Sequence, residues 1–220
     1  MKREKHATGL QGGLWRAVWA GLLMCAGEGW AAESPLVTVR STVEQAMAVL
    51  ADPVYQGAER SQARMQKLEE VVLPRLDTWE FGRRCLGVHW QQLTDPQRQE
   101  FIDLFKQLIE KSYGGMLDRY SQGIRVAYDG ERVEDNFAEV DTRIFSDVRE
   151  QPFAVTYRLR QVEGKWLLYD VVVENVSMVS NYRNQFNRII NQSSYEGLVE
   201  AIKRKLAQLE TAPDEIVPAS

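Results

Sequence analysis

The stretch Lys165–Ile190, KWLLYDVVVENVSMVSNYRNQFNRII, decides the fold. Its first part reads as a strand over 165–175. Leu167, Tyr169, Val171 and Val173 alternate on one side; Trp166, Leu168, Val172 and Val176 fall on the other. A strand this apolar must be covered on both faces. From Ser177 the spacing changes. Met178, Val179, Tyr182, Phe186, Ile189 and Ile190 recur at helical intervals. A strand feeding a helix that folds back over its own sheet encloses a deep apolar interior, and no obvious catalytic group points into it.

Upstream of this junction the pattern is β, and before that helical. Alternation predicts strands at about 124–134, 137–146 and 152–162, with Asp129-Gly130 and Glu163-Gly164 as turn signals. In the third strand Phe153, Val155, Tyr157 and Leu159 oppose Ala154, Thr156, Arg158 and Arg160, so one face is covered and the other is wet or at a rim. Helical spacing predicts helices over 35–51, ended by Asp52-Pro53, over the more polar 59–73, and over a short segment carrying Trp79, Phe81, Cys85 and Leu86, closed by Gly87. Thr94 is a good N-cap for the strongest helix, whose stripe runs Phe101, Leu104, Phe105, Leu108, Ile109, Tyr113, Met116, Leu117 and Tyr120. Gly114-Gly115 interrupts it at a potential kink. Two helices follow the last strand, 177–191 and 194–210. Helices, then four antiparallel strands, then helices predict an α+β fold: a curved four-stranded antiparallel sheet covered by several helices, cone-like, with an interior that periodicity alone does not mark as filled or hollow.

The first 31 residues read as a secretory signal peptide. Lys2, Arg3, Lys5 and Arg16 form a basic region, and Ala17–Gly27 is an apolar run too short to span a bilayer. Gly29-Trp30-Ala31 offers a cleavage site, Ala32 a second; an uncleaved anchor is the other reading. This predicts an exported domain over 32–210 and a flexible tail over 211–220. Setting the leader aside removes four basic and two acidic residues and takes the net charge from −4 to −6. Such a chain should not bind nucleic acid or anionic membrane surfaces by charge alone. Cys25 leaves with the leader. Cys85 then has no partner for an internal disulfide and reads as a small buried apolar residue.

Catalytic motifs are missing. There is no GxSxG, HExxH, CxxC or Gly-rich phosphate loop, and His89 is the one histidine after the leader. A histidine metal cluster is excluded, and no cofactor is expected. Asp170, between Tyr169 and Val171, is the best candidate for an unusual acid; the alternative is a carboxylate paired with Arg158 or Arg183. An enzyme using Asp170 or Asp141 as base, and an adaptor with a solid interior, therefore remain as alternatives to a carrier.

Several blocks carry a resemblance: Leu86-Gly87 with Trp90; Leu93-Thr94 followed by Gln97, Phe101 and Phe105; Tyr113 and Leu117; and Trp166, Tyr169-Asp170-Val171, Val176-Ser177-Met178-Val179, Asn181-Tyr182-Arg183 and Gln185-Phe186. In this order the chain resembles, over about residues 34–209, the MlaC-type periplasmic phospholipid-binding proteins, also called toluene-tolerance auxiliary components of an ABC transporter. The resemblance implies a non-catalytic carrier, expected as a monomer. It would engulf the acyl chains of a glycerophospholipid, or of another lipid as in a hopanoid-associated branch, and leave the head group in water. Its partners would be an outer-membrane lipoprotein complex and an inner-membrane ABC transporter complex with its substrate-binding subunit. On this reading the lining residues are Leu104, Leu108, Tyr113 and Leu117; Val155, Tyr157 and Leu159; Val171, Val173 and Val176; and Met178, Tyr182 and Phe186, with Arg183 available to a phosphate at the mouth. The pocket should reach or exceed the ~1,000 Å³ upper range of ordinary ligand sites.

Overall fold

Polar caps set the ends of the helices. A computed structural model describes residues 33–120, 123–147 and 149–211, and within them all side chains but those of residues 58 and 114–120. The expected signal peptide, and the expected tail apart from Thr211, lie outside the described residues. Helix α1 (Pro35–Ala51) starts at Ser34, whose Oγ accepts the Val37 N–H at 3.2 Å, with proline in the first turn. Helix α2 (Ser61–Val72) runs into a 3-10 turn, Leu73–Arg75. Asp77 caps α3 (Thr78–Leu86) by accepting the Glu80 N–H at 2.9 Å. Gly87, at φ +57°, ends α3 in a backbone region that a side chain would strain. Thr94 opens α4 (Asp95–Tyr120) with a reciprocal box: its N–H donates to Gln97 Oε1 at 2.9 Å, and the Gln97 N–H reaches Thr94 Oγ1 at 3.4 Å. The helix continues through Gly114-Gly115. Ser177 caps α5 (Met178–Gln192), and α6 (Tyr195–Thr211) follows.

The sheet is antiparallel with strands in sequence order: β1 (Arg125–Glu134), β2 (Phe137–Ser146), β3 (Arg149–Val162), β4 (Lys165–Val173) and β5 (Val176–Ser177). Five strands, not four, are present. The expected strand over 165–175 stops at Val173. Glu174 and Asn175, at φ +47° and +68°, make a tight turn, and β5 pairs back on β4 through Val173↔Val176 and Val172↔Ser177. Glu163 and Gly164, at φ +50° and +78°, form the expected turn between β3 and β4. Asp129-Gly130 does not turn the chain. The β1–β2 register shifts between Tyr128 and Gly130, a bulge inside a continuing strand, and Asp135, at φ +51°, lies in the actual β1–β2 connection.

A second shift corrects the reading of β4. Leu159 pairs with Leu168, but Arg158 pairs with Asp170, so Tyr169 is an extra residue. The alternation flips there. Trp166 and Leu168 share a face with Val171 and Val173, opposite Asp170 and Val172. One sheet face, with Ala138, Val140, Leu159 and Trp166, packs under Val39 of α1. The other carries Arg158, Arg160 and Asp170 and is met by α3 and α5.

A dense aromatic block holds α3, α4, α5 and α6 together. Phe105 lies 5.0 Å from Tyr182 and 5.4 Å from Phe186, ring centre to ring centre, and Phe101 lies 5.7 Å from Phe186. Cys85 is fully buried in this block, free, and desolvation pushes its thiol pKa up; it behaves as core. Gly82 lets α3 approach α4, because a Cβ there would collide with the Ile102 side chain.

Candidate functional site

Helix α2 is polar along most of its length but keeps one apolar row, Met65, Leu68 and Val72, at spacings of three and four. This row faces α4. Between them, lined also by Leu73, Leu76 and Phe81, lies an apolar cavity of about 200 Å³, walled on the α4 side by Ile102, Phe105, Ile109 and Tyr113. A second cavity of about 140 Å³ lies between α1 and the sheet, lined by Thr38, Val39, Thr42, Val43 and Ala46 and by Tyr157, Leu159 and Leu168. Val72 and Leu76 belong to both walls, so the two cavities, taken below as the two lobes of a cleft, adjoin at the end of α2. A larger hollow of about 460 Å³ beside Phe137 is lined mainly by Arg132, Glu134, Asp135 and Glu139; it is an open polar surface.

The two lobes have different rims. Glu69, Lys106 and Glu110 border the first. Partial burial, and then the neighbouring Glu69, raise the Glu110 pKa, while Lys111 and Lys106 oppose the shift. Arg75 borders the second, where its Nη1 pairs loosely with Glu33 at 3.4 Å. Inside the second lobe, burial pushes the Tyr157 pKa up to about 12, so its phenol stays neutral.

The expected lining residues separate into four places. Tyr113 lines the first lobe; Tyr157 and Leu159 line the second. Val155, Val171 and Val173 share the sheet face of the second lobe without lining it. Leu104, Leu108, Met178, Tyr182 and Phe186 sit in or against the packed aromatic block. Val176 is 60% exposed on β5, and Arg183, exposed on α5, donates from Nε to the Arg84 carbonyl at 2.7 Å. Leu117 lies on α4, with its side chain outside the described residues. The residues missed were those of α2 and the turn after it. Their signal was the row Met65, Leu68, Val72 on an otherwise polar helix, which only a partner surface would cover. The interior expected to approach ~1,000 Å³ is smaller because Phe101, Phe105, Tyr182 and Phe186 fill the space assigned to it.

Asp170 is buried at 3% exposure and fully engaged. It accepts from Val179 N–H at 3.0 Å, Ser177 Oγ at 2.6 Å and Arg158 Nη1 at 3.3 Å. These bonds hold α5 to β4 and leave its carboxylate in a structural role. Among the described residues no group of three or more His, Cys, Asp or Glu is placed to hold a metal ion. No helix among them is long and apolar enough to cross a membrane.

Fold and cleft together define an α+β protein built around a hollow lined by hydrocarbon side chains. The family model described as MlaC protein matches residues 40–204, and the chain belongs to this family. It is 25% identical over 188 residues to the intermembrane phospholipid transport system binding protein MlaC of Haemophilus influenzae, covering 79% of this chain and 88% of that one. It is 26% identical over 162 residues to the toluene tolerance protein ttg2D of Pseudomonas putida, covering 71% and 73%. Among solved structures it is similar to the phospholipid-binding protein from Ralstonia solanacearum in complex with a phospholipid, with a TM-score of 0.72 and 27% identity over 80% of this chain and 98% of that one.

Proposed function

We propose that this protein is a periplasmic phospholipid carrier that shields acyl chains in the two-lobed cleft and moves lipid between membranes. The single observation that carries the reading is the cleft itself: two apolar lobes that share Val72 and Leu76 in their walls, each bordered by charge. Family membership supports it, as do the names of relatives that bind or transport phospholipid.

Each buried methylene is worth ~0.8 kcal/mol against water. Two acyl chains with roughly 30 methylenes therefore face a barrier on the order of 25 kcal/mol to leaving a bilayer unaided. The apolar lobes, about 200 and 140 Å³, lower this barrier in proportion to the hydrocarbon they cover. The protein then needs no nucleophile and no metal, and direction is supplied by its partners. In this reading these are an outer-membrane lipoprotein complex and the substrate-binding subunit of an inner-membrane ABC transporter.

Native mass spectrometry of protein expressed in a Gram-negative periplasm tests the proposal. The expected result is a mass increment that resolves into phospholipid on denaturation. A ligand-free mass, combined with failure to extract lipid from vesicles, overturns it.

A further inference from the structure

The second lobe contains a polar group with nothing to bond. Thr38 is 2% exposed, and among the described residues none pairs with its Oγ1. A threonine in a helix ordinarily bonds the carbonyl four residues back. Here the Ser34 carbonyl accepts the Thr38 N–H at 2.9 Å but no bond from the hydroxyl. Such an orphan is costly to bury, and its residue forms part of the wall of the second lobe. At the border of the same lobe stands Arg75, whose Glu33 partner is 3.4 Å away and 41% exposed, an ion pair weak enough to be exchanged. The first lobe has the opposite character, with Glu69 and Glu110 against Lys106 and an otherwise apolar wall.

We infer that the lobe between α1 and the sheet is a glycerol-ester subsite. The Thr38 hydroxyl donates a hydrogen bond to an ester carbonyl of the lipid, and Arg75 faces its phosphate. The chains then run past Val72 and Leu76 into the lobe between α2 and α4, whose acidic rim repels a phosphate. This assignment rests on the phospholipid-carrier reading and deepens it: the cleft selects a carbonyl as well as hydrocarbon.

The test is competitive extraction from vesicles holding equal amounts of ester-linked and ether-linked phosphatidylglycerol with identical chains. The extracted lipid is read by mass spectrometry. An ether oxygen is a poor acceptor, so the wild-type protein should favour the ester by about five-fold, the worth of one net hydrogen bond. Thr38→Val keeps the shape and should bring the ratio to about one, whereas Thr38→Ser should retain the preference. Arg75→Gln should lower, also by about five-fold, the preference for phosphatidylglycerol over the matching diacylglycerol. A wild-type ester:ether ratio of one, or a ratio unchanged in Thr38→Val, overturns the subsite and leaves the carrier reading intact. Extraction of neither lipid by any variant overturns the carrier reading and the subsite with it.

Discussion

The carboxylate of Asp170 accepts the backbone N–H of Val179 at 3.0 Å, which ties the first turn of α5 to the middle of β4. The same carboxylate takes the Ser177 hydroxyl and one nitrogen of Arg158. Asp170→Ala should therefore cost about 3 kcal/mol, from lost charge-assisted bonds and an Arg158 left without this partner. Urea denaturation at unchanged m-value is the measurement; a loss below about 1 kcal/mol would contradict the role given to Asp170.

Glu80 gives the fold an acid limit. Hydrogen bonds from Arg83 lower its pKa to about 2, with Arg84 adding to the effect and burial opposing it. Its folded pKa lies below the ordinary 4.5, so its contribution is present above that value and is lost as the pH falls from about 4.5 through about 2. Melting temperatures recorded across this window should drop more steeply in the wild type than in Glu80→Gln. Parallel curves would exclude Glu80 as the group responsible.

Phe105 belongs both to the aromatic block and to the wall of the first lobe. Phe105→Ala should destabilise the protein by about 3–5 kcal/mol and enlarge the lobe. Added phospholipid should stabilise the variant more than the wild type, because an acyl chain fills the enlarged lobe and a ligand bound only to the folded state stabilises it in proportion to its affinity. Denaturation midpoints with and without lipid decide the matter. An equal lipid effect in wild type and variant would place the hydrocarbon elsewhere.

Leu76 stands where the lobes meet. Leu76→Trp should obstruct both at a stability cost of about 1–3 kcal/mol. Protein purified from the periplasm should then fold normally, by circular dichroism, but carry little phospholipid. Undiminished lipid in a well-folded variant would show that the junction is not on the path.

Much of the fold was legible because long helices and long strands announce themselves by period. The stripe from Phe101 to Tyr120 behind the Thr94 cap, the stop at Asp52-Pro53 and the helical spacing after Ser177 are local signals, and they predicted α1, α4 and α5 within a residue or two. Sheet details were not legible for an equally local reason. In LLYDVVV an extra residue leaves both faces apolar, so the bulge at Tyr169 changes the register without changing the pattern. Asp-Gly suits a turn and a bulge alike, and at 129–130 pairing with β2 chose the bulge. Glu174-Asn175 looked like the end of a strand because glutamate carries no turn signal.

The cleft was legible only in part. Tyr113, Tyr157 and Leu159 were read as lining, yet the same reasoning also placed Leu108, Tyr182 and Phe186 around a hollow when they pack against one another. Periodicity shows that a side chain faces inward, and packing alone decides whether it meets another side chain or open space.

The attachment of α2 has a mechanical consequence. At its end, Leu76 bridges to Leu168, and the Asp77 N–H donates to the Leu168 carbonyl at 2.8 Å; otherwise α2 leans on α1 through the small cluster of Val49, Leu50 and Leu68. The opposite jaw, α4, is clamped by interlocked rings. One jaw is thus fastened by stacked rings and the other by a few aliphatic contacts and one stitch to the sheet. A bulkier guest would be met by swinging α2 outward about Leu76, at the expense of those aliphatic contacts, while the rings behind α4 kept their places.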